Sequence, residues 1–259
     1  MNYRGFVTGK SEYGLTVELT MPEELRGIFF ARLYARGPLN DGAEGEPELV
    51  WKRLSREYGN RGLVAPRQIH GTTIIDADNT QILPKRAEAD GVFIESGREA
   101  LASLRFADCA PVVIAAMCEK PWMAILHSGF KGTLLNITAA AVNGIFKRFP
   151  ERRGAKLWGW IAPAVGGECY SREKSDPASI EAMKKFSAVN RCERGGLCYF
   201  DIRGEIRRQL LECGLSEENI FVYEGCNCCH REFFYSYRGG DSCKRNFLLA
   251  GASINREKV

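Results

Sequence analysis

The chain has 259 residues, 45% of them hydrophobic and 26% charged, with a formal net charge of +4. That balance describes a globular protein with a sizeable core, and so mild a charge favours small anions without arguing for nucleic acid. No run reaches the roughly 18 apolar residues that a membrane helix needs. The start, MNYRGFVTGK, lacks the apolar run of a signal peptide, so a cytoplasmic location with no membrane partner is the expectation.

In chain order, Leu15–Thr20 and Gly27–Tyr34 read as strands, and residues 37–47 as a polar, glycine-rich, mobile loop. Pro47 suits a first helical position, with Val50, Leu54 and Tyr58 at helical spacing until Gly59. Leu63–His70 reads as a strand that resumes at Thr72–Ala77, followed by Asp90–Glu95 and Ala100–Phe106. Pro111–Met117 and Trp122–Leu126 are apolar runs about a Cys-Glu-Lys-Pro turn, the pattern of two buried strands.

After Gly132, residues Leu134, Ile137, Ala141, Ile145 and Phe149 form one helical stripe, with Thr133 or a neighbour as cap and Pro150 as stop. Leu157–Ala162 is a strand. Asp176-Pro177 opens a helix facing inward through Ile180, Met183 and Phe186, and Asp201 caps another carrying Ile202, Ile206 and Leu210 up to Gly214. Ile220–Glu224 is the last predicted strand, and a tail rich in Cys, Tyr and Arg follows. Interleaved strands and helices without a linker predict an α/β (or α+β) fold with a mixed sheet in one domain.

Ten cysteines in a reducing compartment are buried apolar groups, metal ligands or reactive thiols rather than a disulfide framework. Histidine is scarcer, at three: His70, His127 and His230. His70, Cys109 and His127 each end a predicted core strand, and two imidazoles with a thiolate suit zinc, leaving a fourth position open. They form no local metal motif, so spacing alone also allows three unrelated residues.

Asp108 is a candidate acid/base or a partner orienting a histidine. The Ser128–Gly132 loop leads into a helix, where backbone N–H groups, Lys131 and Ser128 would attract phosphate; an ordinary strand-to-helix turn is the alternative. Gln68 shares the face of His70, and Arg238 and Arg245 offer guanidinium groups for phosphate. In the tail, Cys226, Cys228, Cys229 and Cys243 read as buried thiols, because C-x-C-C is a poor fit to paired metal ligands.

RQIHG (Arg67–Gly71), ADGVF (Ala89–Phe93), ADCAPV (Ala107–Val112), HSGFKG (His127–Gly132), IAPAVGGECY (Ile161–Tyr170) and SYR (Ser236–Arg238) stand in a fixed order. Together they resemble the YfiH/YlmD family, also called the laccase-domain or "multicopper polyphenol oxidase" family. The resemblance implies a layered sandwich of mixed sheets flanked by helices, similar to the cytotoxic necrotizing factor fold, over residues 1–259. It places zinc on His70, Cys109 and His127.

The implied activity is that of a purine nucleoside phosphorylase acting on adenosine, inosine or methylthioadenosine, with phosphate as co-substrate and adenosine deaminase activity besides. The chain departs from the family where Phe130 and Lys131 replace the usual Trp and Arg, where an N-terminal loop survives only as Phe30-Ala31-Arg32, and at Cys243–Arg245. Two readings compete. One is copper at the same ligands and a polyphenol oxidase, although three histidines cannot supply a trinuclear cluster. The other is a metal-free cysteine hydrolase, consistent with a peptidoglycan-editing label, using Cys109 and His127. Preferred nucleoside and oligomeric state are open at this level.

Overall fold

The apolar runs on either side of the Cys118–Pro121 turn pair as a hairpin at the centre of the molecule. These are β8 (Ala110–Met117) and β9 (Trp122–Ser128) in a computed structural model that describes residues 3–253. Before them come β1 (Phe6–Ser11), β2 (Gly14–Leu19), β3 (Phe29–Tyr34), α1 (Pro38–Asp41), α2 (Pro47–Leu54), β4 (Leu63–Val64), β5 (Ile74–Asp76), β6 (Gly91–Glu95) and β7 (Leu101–Phe106). After them come α3 (Phe130–Leu134), α4 (Ile137–Arg148), β10 (Lys156–Ile161), β11 (Ser171–Glu173), α5 (Pro177–Lys185) and β12 (Arg191–Arg194). The chain continues through β13 (Leu197–Phe200), α6 (Ile202–Glu212), β14 (Ile220–Val222) and β15 (Asn246–Ala252).

Two six-stranded sheets result, ordered β1-β2-β3-β15-β7-β4 and β14-β10-β8-β9-β6-β5. Both are mixed: β4 runs parallel to β7, β5 to β6 and β14 to β10, and the other pairs are antiparallel. Residues such as Leu33, Leu104 and Leu248 from the first sheet meet Val113, Met123 and Trp160 from the second in a shared core. The outer face of the second sheet packs on α4 and α6 through Ile137, Val142, Ile206 and Leu210. The outer face of the first is covered by α1 and α2 through Leu39, Val50 and Leu54. Fully burying a side chain of this size stabilises by about 1.5–3 kcal/mol, so four layers build a strong frame. This is the α/β fold with mixed sheets that the sequence predicts, arranged in the layered sandwich that the family resemblance implies.

Several local expectations change. Residues 37–47 hold the short α1 rather than a bare loop, because Pro38 starts a turn whose Leu39 and Asn40 are buried. The strand read over Leu63–His70 is confined to Leu63–Val64: Pro66 lacks a donor, and Arg67 makes only an isolated bridge to Glu88. The helix read as starting near Thr133 is two helices. Asn136 adopts φ +56° between them, and its side chain accepts a hydrogen bond from the Ala139 N–H as the cap of α4. On α5 and its C-cap, Phe186 is buried and Met183 packs against the core as read, but Ile180 is exposed and Ser179 and Ala182 face inward instead. The strands β1 and β15 and the small sheet β11-β13-β12 were not anticipated.

The caps behave as read: Asp176 accepts from Ala178 N–H and Asp201 from Gly204 N–H. On α6, buried Glu205 accepts from Ser187 N–H, Asn190 Nδ2 and Arg208. Burial alone would raise its carboxyl; the Arg208 and Asn190 bonds outweigh that and hold it below the ordinary value of 4.5. A depressed folded pKa contributes stability above the unfolded value that is lost as pH falls through the folded one. Glu205→Gln should therefore lower stability at neutral pH by about 1–3 kcal/mol and lessen the further loss below roughly pH 4.5. Urea midpoints across that range check it.

Candidate metal centre and its cleft

The chain crosses from the first sheet to the second twice at one end of the molecule, between β4 and β5 and between β7 and β8. His70 lies on the first crossing and Cys109 on the second, immediately before β8. His127 is near the end of β9, paired with Pro111. The ligand atoms of His70, Cys109 and His127 lie within 4.8 Å of one another, so the three residues can hold a metal ion. The imidazole centroids are 4.8 Å apart and inclined at 67°, and Phe106 packs against His127 at 5.4 Å.

A residue missed by the sequence reading organises this trio. Asp90, fully buried just before β6, accepts from His127 Nδ1 at 2.8 Å. It also accepts from the backbone N–H groups of Ile69, His70 and Gly71 at 3.1, 2.9 and 2.7 Å. His70 sits at φ +59°, a conformation disfavoured for a side chain with Cβ, and these bonds pin the turn that imposes it. Asp90 thus orients both imidazoles, one through the ring and one through the backbone. The only signal for it was its place inside ADGVF, where an Asp at a strand start reads as an ordinary boundary.

Burial would raise the Asp90 carboxyl, but the bonds from His127 and Gly71 hold it below the usual carboxylate value. Burial also holds His127 below the usual imidazole value, outweighing Asp90. A neutral ring whose Nδ1–H donates to Asp90 leaves Nε2 as a lone-pair ligand. Cys109 is half-exposed by area yet so surrounded by protein that burial, with Asp108 adding to it, pushes its thiol up to about 12. A thiolate there needs a cation beside it, and a bound metal supplies one.

Glycine makes the trio possible. The β8–β9 register sets Ala110 opposite Ser128, hence Cys109 opposite Gly129. A Cβ on Gly129 would stand 2.5 Å from Cys109 Sγ and 3.4 Å from His70 Cδ2.

The trio opens into a cleft of about 1150 Å³. Arg67, Arg86, Arg105, Lys131, Arg172, Arg238 and Arg245 line it, against Glu44 and Asp108. Arg105 is 8% exposed; one terminal nitrogen donates to the Pro66 carbonyl, and the other, Nη1, is buried without a partner among the described residues. Burial, with Arg86 nearby, lowers its pKa to about 9, which leaves it charged at neutral pH. Arg86 reaches the same Pro66 carbonyl at 3.3 Å. Across the cleft, Tyr170 stacks on Phe130 at 5.6 Å, and the guanidinium of Arg238 lies 4.3 Å over the Tyr170 ring.

The other sequence candidates fall as follows. Lys131, Arg238 and Arg245 line the cleft, although Arg238 donates to the Ser171 carbonyl at 2.7 Å and Arg245 to that of Lys244 at 2.8 Å. Asp108, at φ +81°, bonds neither histidine: it accepts from Ser236 Oγ at 2.6 Å and from Arg238 N–H at 2.7 Å, fastening the C-terminal segment over the cleft. Gln68 exchanges hydrogen bonds with the Arg105 backbone at 2.8 and 2.9 Å, so it positions Arg105. Ser128 is fully buried, its hydroxyl 2.9 Å from Thr133 Oγ1. Arg32 pairs with Glu18 on the first sheet, and His230 pairs with Glu232.

A metal-competent cleft where two mixed sheets exchange strands defines the class of protein. The fold is that of the Bacillus licheniformis hypothetical protein YfiH, with a TM-score of 0.76, 20% identity, and coverage of 96% of this chain and 99% of that one. YlmD from Geobacillus stearothermophilus gives 0.75 at 21% identity, covering 96% and 99%. Residues 45–249 match the model of the family described as multi-copper polyphenol oxidoreductase laccase, and the chain belongs to that family.

Among relatives, a protein named purine nucleoside phosphorylase from Xylella fastidiosa is 27% identical over 176 residues, 66% of this chain and 65% of that protein. One named purine nucleoside phosphorylase YlmD from Bacillus subtilis is 27% identical over 153 residues, 58% of this chain and 53% of that protein. The chain thus spans less than two thirds of the length of these relatives. No helix among the described residues is long and apolar enough to cross a membrane.

Proposed function

We propose that the chain is a zinc-dependent purine nucleoside phosphorylase with accompanying adenosine deaminase activity, working in the cytoplasm. What carries the reading is one juxtaposition: the His70–Cys109–His127 group faces the same cleft as a buried guanidinium with an unpartnered nitrogen, Arg105. Zinc on the three ligands would supply a Lewis acid with an open position. The names of the relatives from X. fastidiosa and B. subtilis support the phosphorylase part of this reading.

Arg105, with Arg86 and Arg245 beside it, holds the phosphate co-substrate, because a buried guanidinium left unpaired is best satisfied by an oxyanion. Phe130 and Tyr170 offer aromatic faces for the purine, and Lys131 adds charge at the rim. In phosphorolysis a phosphate oxygen bonds to C1′ as the C1′–N9 bond breaks, and the purine leaves with the electron pair and takes up a proton. In deamination water displaces ammonia at C6 of adenine. Burial keeps the His127 ring neutral, and Asp90 keeps it aimed throughout.

Inosine with inorganic phosphate should give hypoxanthine and ribose-1-phosphate, and chelation should abolish the reaction. Arg105→Gln should raise KM for phosphate about 10- to 100-fold at unchanged metal content, the worth of one or two charge-assisted hydrogen bonds. No turnover of any purine nucleoside by the zinc-loaded chain would sink the proposal.

The Asp90–His127–Cys109 order is also that of a cysteine hydrolase. It is the weaker reading, since the thiol is pushed up to about 12 and a second imidazole shares the site. Alkylation of Cys109 that zinc does not slow would favour it. Copper at the same ligands is the other alternative, separated by elemental analysis of protein purified without added copper.

A further inference from the structure

Behind Tyr170, away from the cleft trio, three more sulfurs meet. Cys169 ends the loop that runs from Pro163, and Cys226 and Cys229 belong to the turn after β14. Their Sγ atoms lie within 4.8 Å of one another, those of Cys169 and Cys229 at 3.4 Å. The tail alone read as poorly spaced for a metal, because the completing thiol lies 60 residues before Cys229. With Cys169 in place, Cys226 and Cys229 become a C-x-x-C pair and Cys228 drops out.

The two loops are joined around the thiols. Asn227 N–H donates to the Ala164 carbonyl at 3.1 Å and Asn227 Nδ2 to that of Pro163 at 3.3 Å. Gly166 N–H donates to Cys226 Sγ at 3.1 Å, and a Cβ on Gly166 would sit 3.3 Å from that of Cys226. An amide N–H aimed at sulfur favours thiolate, the metal-binding form. Tetrahedral zinc with Zn–S near 2.3 Å sets its sulfurs about 3.8 Å apart, a span these atoms meet with small shifts. A disulfide would use two of the three and leave the third unpaired.

We propose that Cys169, Cys226 and Cys229 form a second metal site, a trithiolate centre that takes a zinc ion and leaves its fourth position to solvent on the exposed Cys229 side. Thiolate ligands select a soft or borderline cation such as zinc over magnesium or calcium. The ion fixes the loop whose next residue, Tyr170, forms the aromatic wall of the cleft, so it is structural and stands apart from the reaction.

The test uses the full chain carrying His127→Ala, which cripples the cleft site and so separates this proposal from the proposed activity. Elemental analysis after removal of loosely held metal should find one zinc per chain, lost in the added Cys229→Ser and kept in the added Cys228→Ser. Cobalt in place of zinc should give the sulfur-to-metal charge-transfer band of a thiolate site. Should Cys229→Ser fail to fold, mass-spectrometric mapping of alkylation in the unsubstituted chain decides: zinc should slow modification of Cys169, Cys226 and Cys229 at least tenfold. Modification at equal rates with and without zinc overturns the proposal. So does zinc-free protein whose Cys169 and Cys229 thiols, once a thiol reductant has opened any disulfide between them, take up no zinc.

Discussion

Replacing Asp90 with alanine should lower the affinity of the cleft for zinc by 10- to 100-fold or more and destabilise the fold by about 3–5 kcal/mol. Four donors lose their acceptor at once: His127 Nδ1 and the N–H groups of Ile69, His70 and Gly71. Each buried donor left unsatisfied costs about 1–3 kcal/mol, and partial relaxation of the exposed turn keeps the total below the sum. The metal loses more than a neighbour, because His127 is freed to rotate and the His70 turn loses the bonds that pin φ +59°. Asp90→Asn, which keeps one acceptor oxygen, should fall between. Chelator competition for affinity and urea unfolding for stability read the two effects separately. Wild-type affinity in Asp90→Ala would refute the role given to this carboxylate.

Gly129→Ala should cut metal affinity and any turnover by about 100-fold, while far-UV circular dichroism stays that of the parent. The backbone tolerates alanine there, with φ at −82°. The collision is lateral: the new methyl would lie 2.5 Å from Cys109 Sγ, and the strand pairing that sets the distance cannot widen cheaply. Displacing a ligand by an ångström is enough for a loss of this order. Gly144→Ala is the control, because nothing lies within 4 Å of its Cβ position on α4 and alanine is the better helix former by up to about 1 kcal/mol. That variant should keep metal and activity and gain slightly in stability.

What could be read from the chain divides along physical lines. Signals confined to a few residues were legible: Pro47 starting a helix, Asp176 and Asp201 as caps, and the two apolar runs that became β8 and β9. Signals that depend on partners far away were not. β15 is buried along its whole length, so Asn246–Ala252 shows no alternation to mark it as a half-buried strand. The strands of the small sheet are three or four residues long and partly polar. Asn136 hid its break because Leu134 and Ile137 keep helical spacing across it.

The site divides in the same way. His70, Cys109 and His127 came from motif order, since no local spacing joins them, and the structure draws them together. Asp90 and Arg105 had no signal of their own, because a carboxylate that braces a turn and a guanidinium beneath a sheet edge look like any surface charge in one dimension. Cys169 could not be tied to Cys226 and Cys229 until the Pro163–Tyr170 loop was seen lying against the turn after β14.

His70 and Cys109 come from the two passages between sheets, whereas His127 belongs to the second sheet itself. A cation gripping all three would tie both passages to the second sheet, and pulling either passage away would tear it out. Saturating the cleft at a hundred times its dissociation constant would then raise global stability by about 2.7 kcal/mol. The same coupling makes the empty protein the more easily pulled apart, so heat tolerance would track the metal supply of its surroundings.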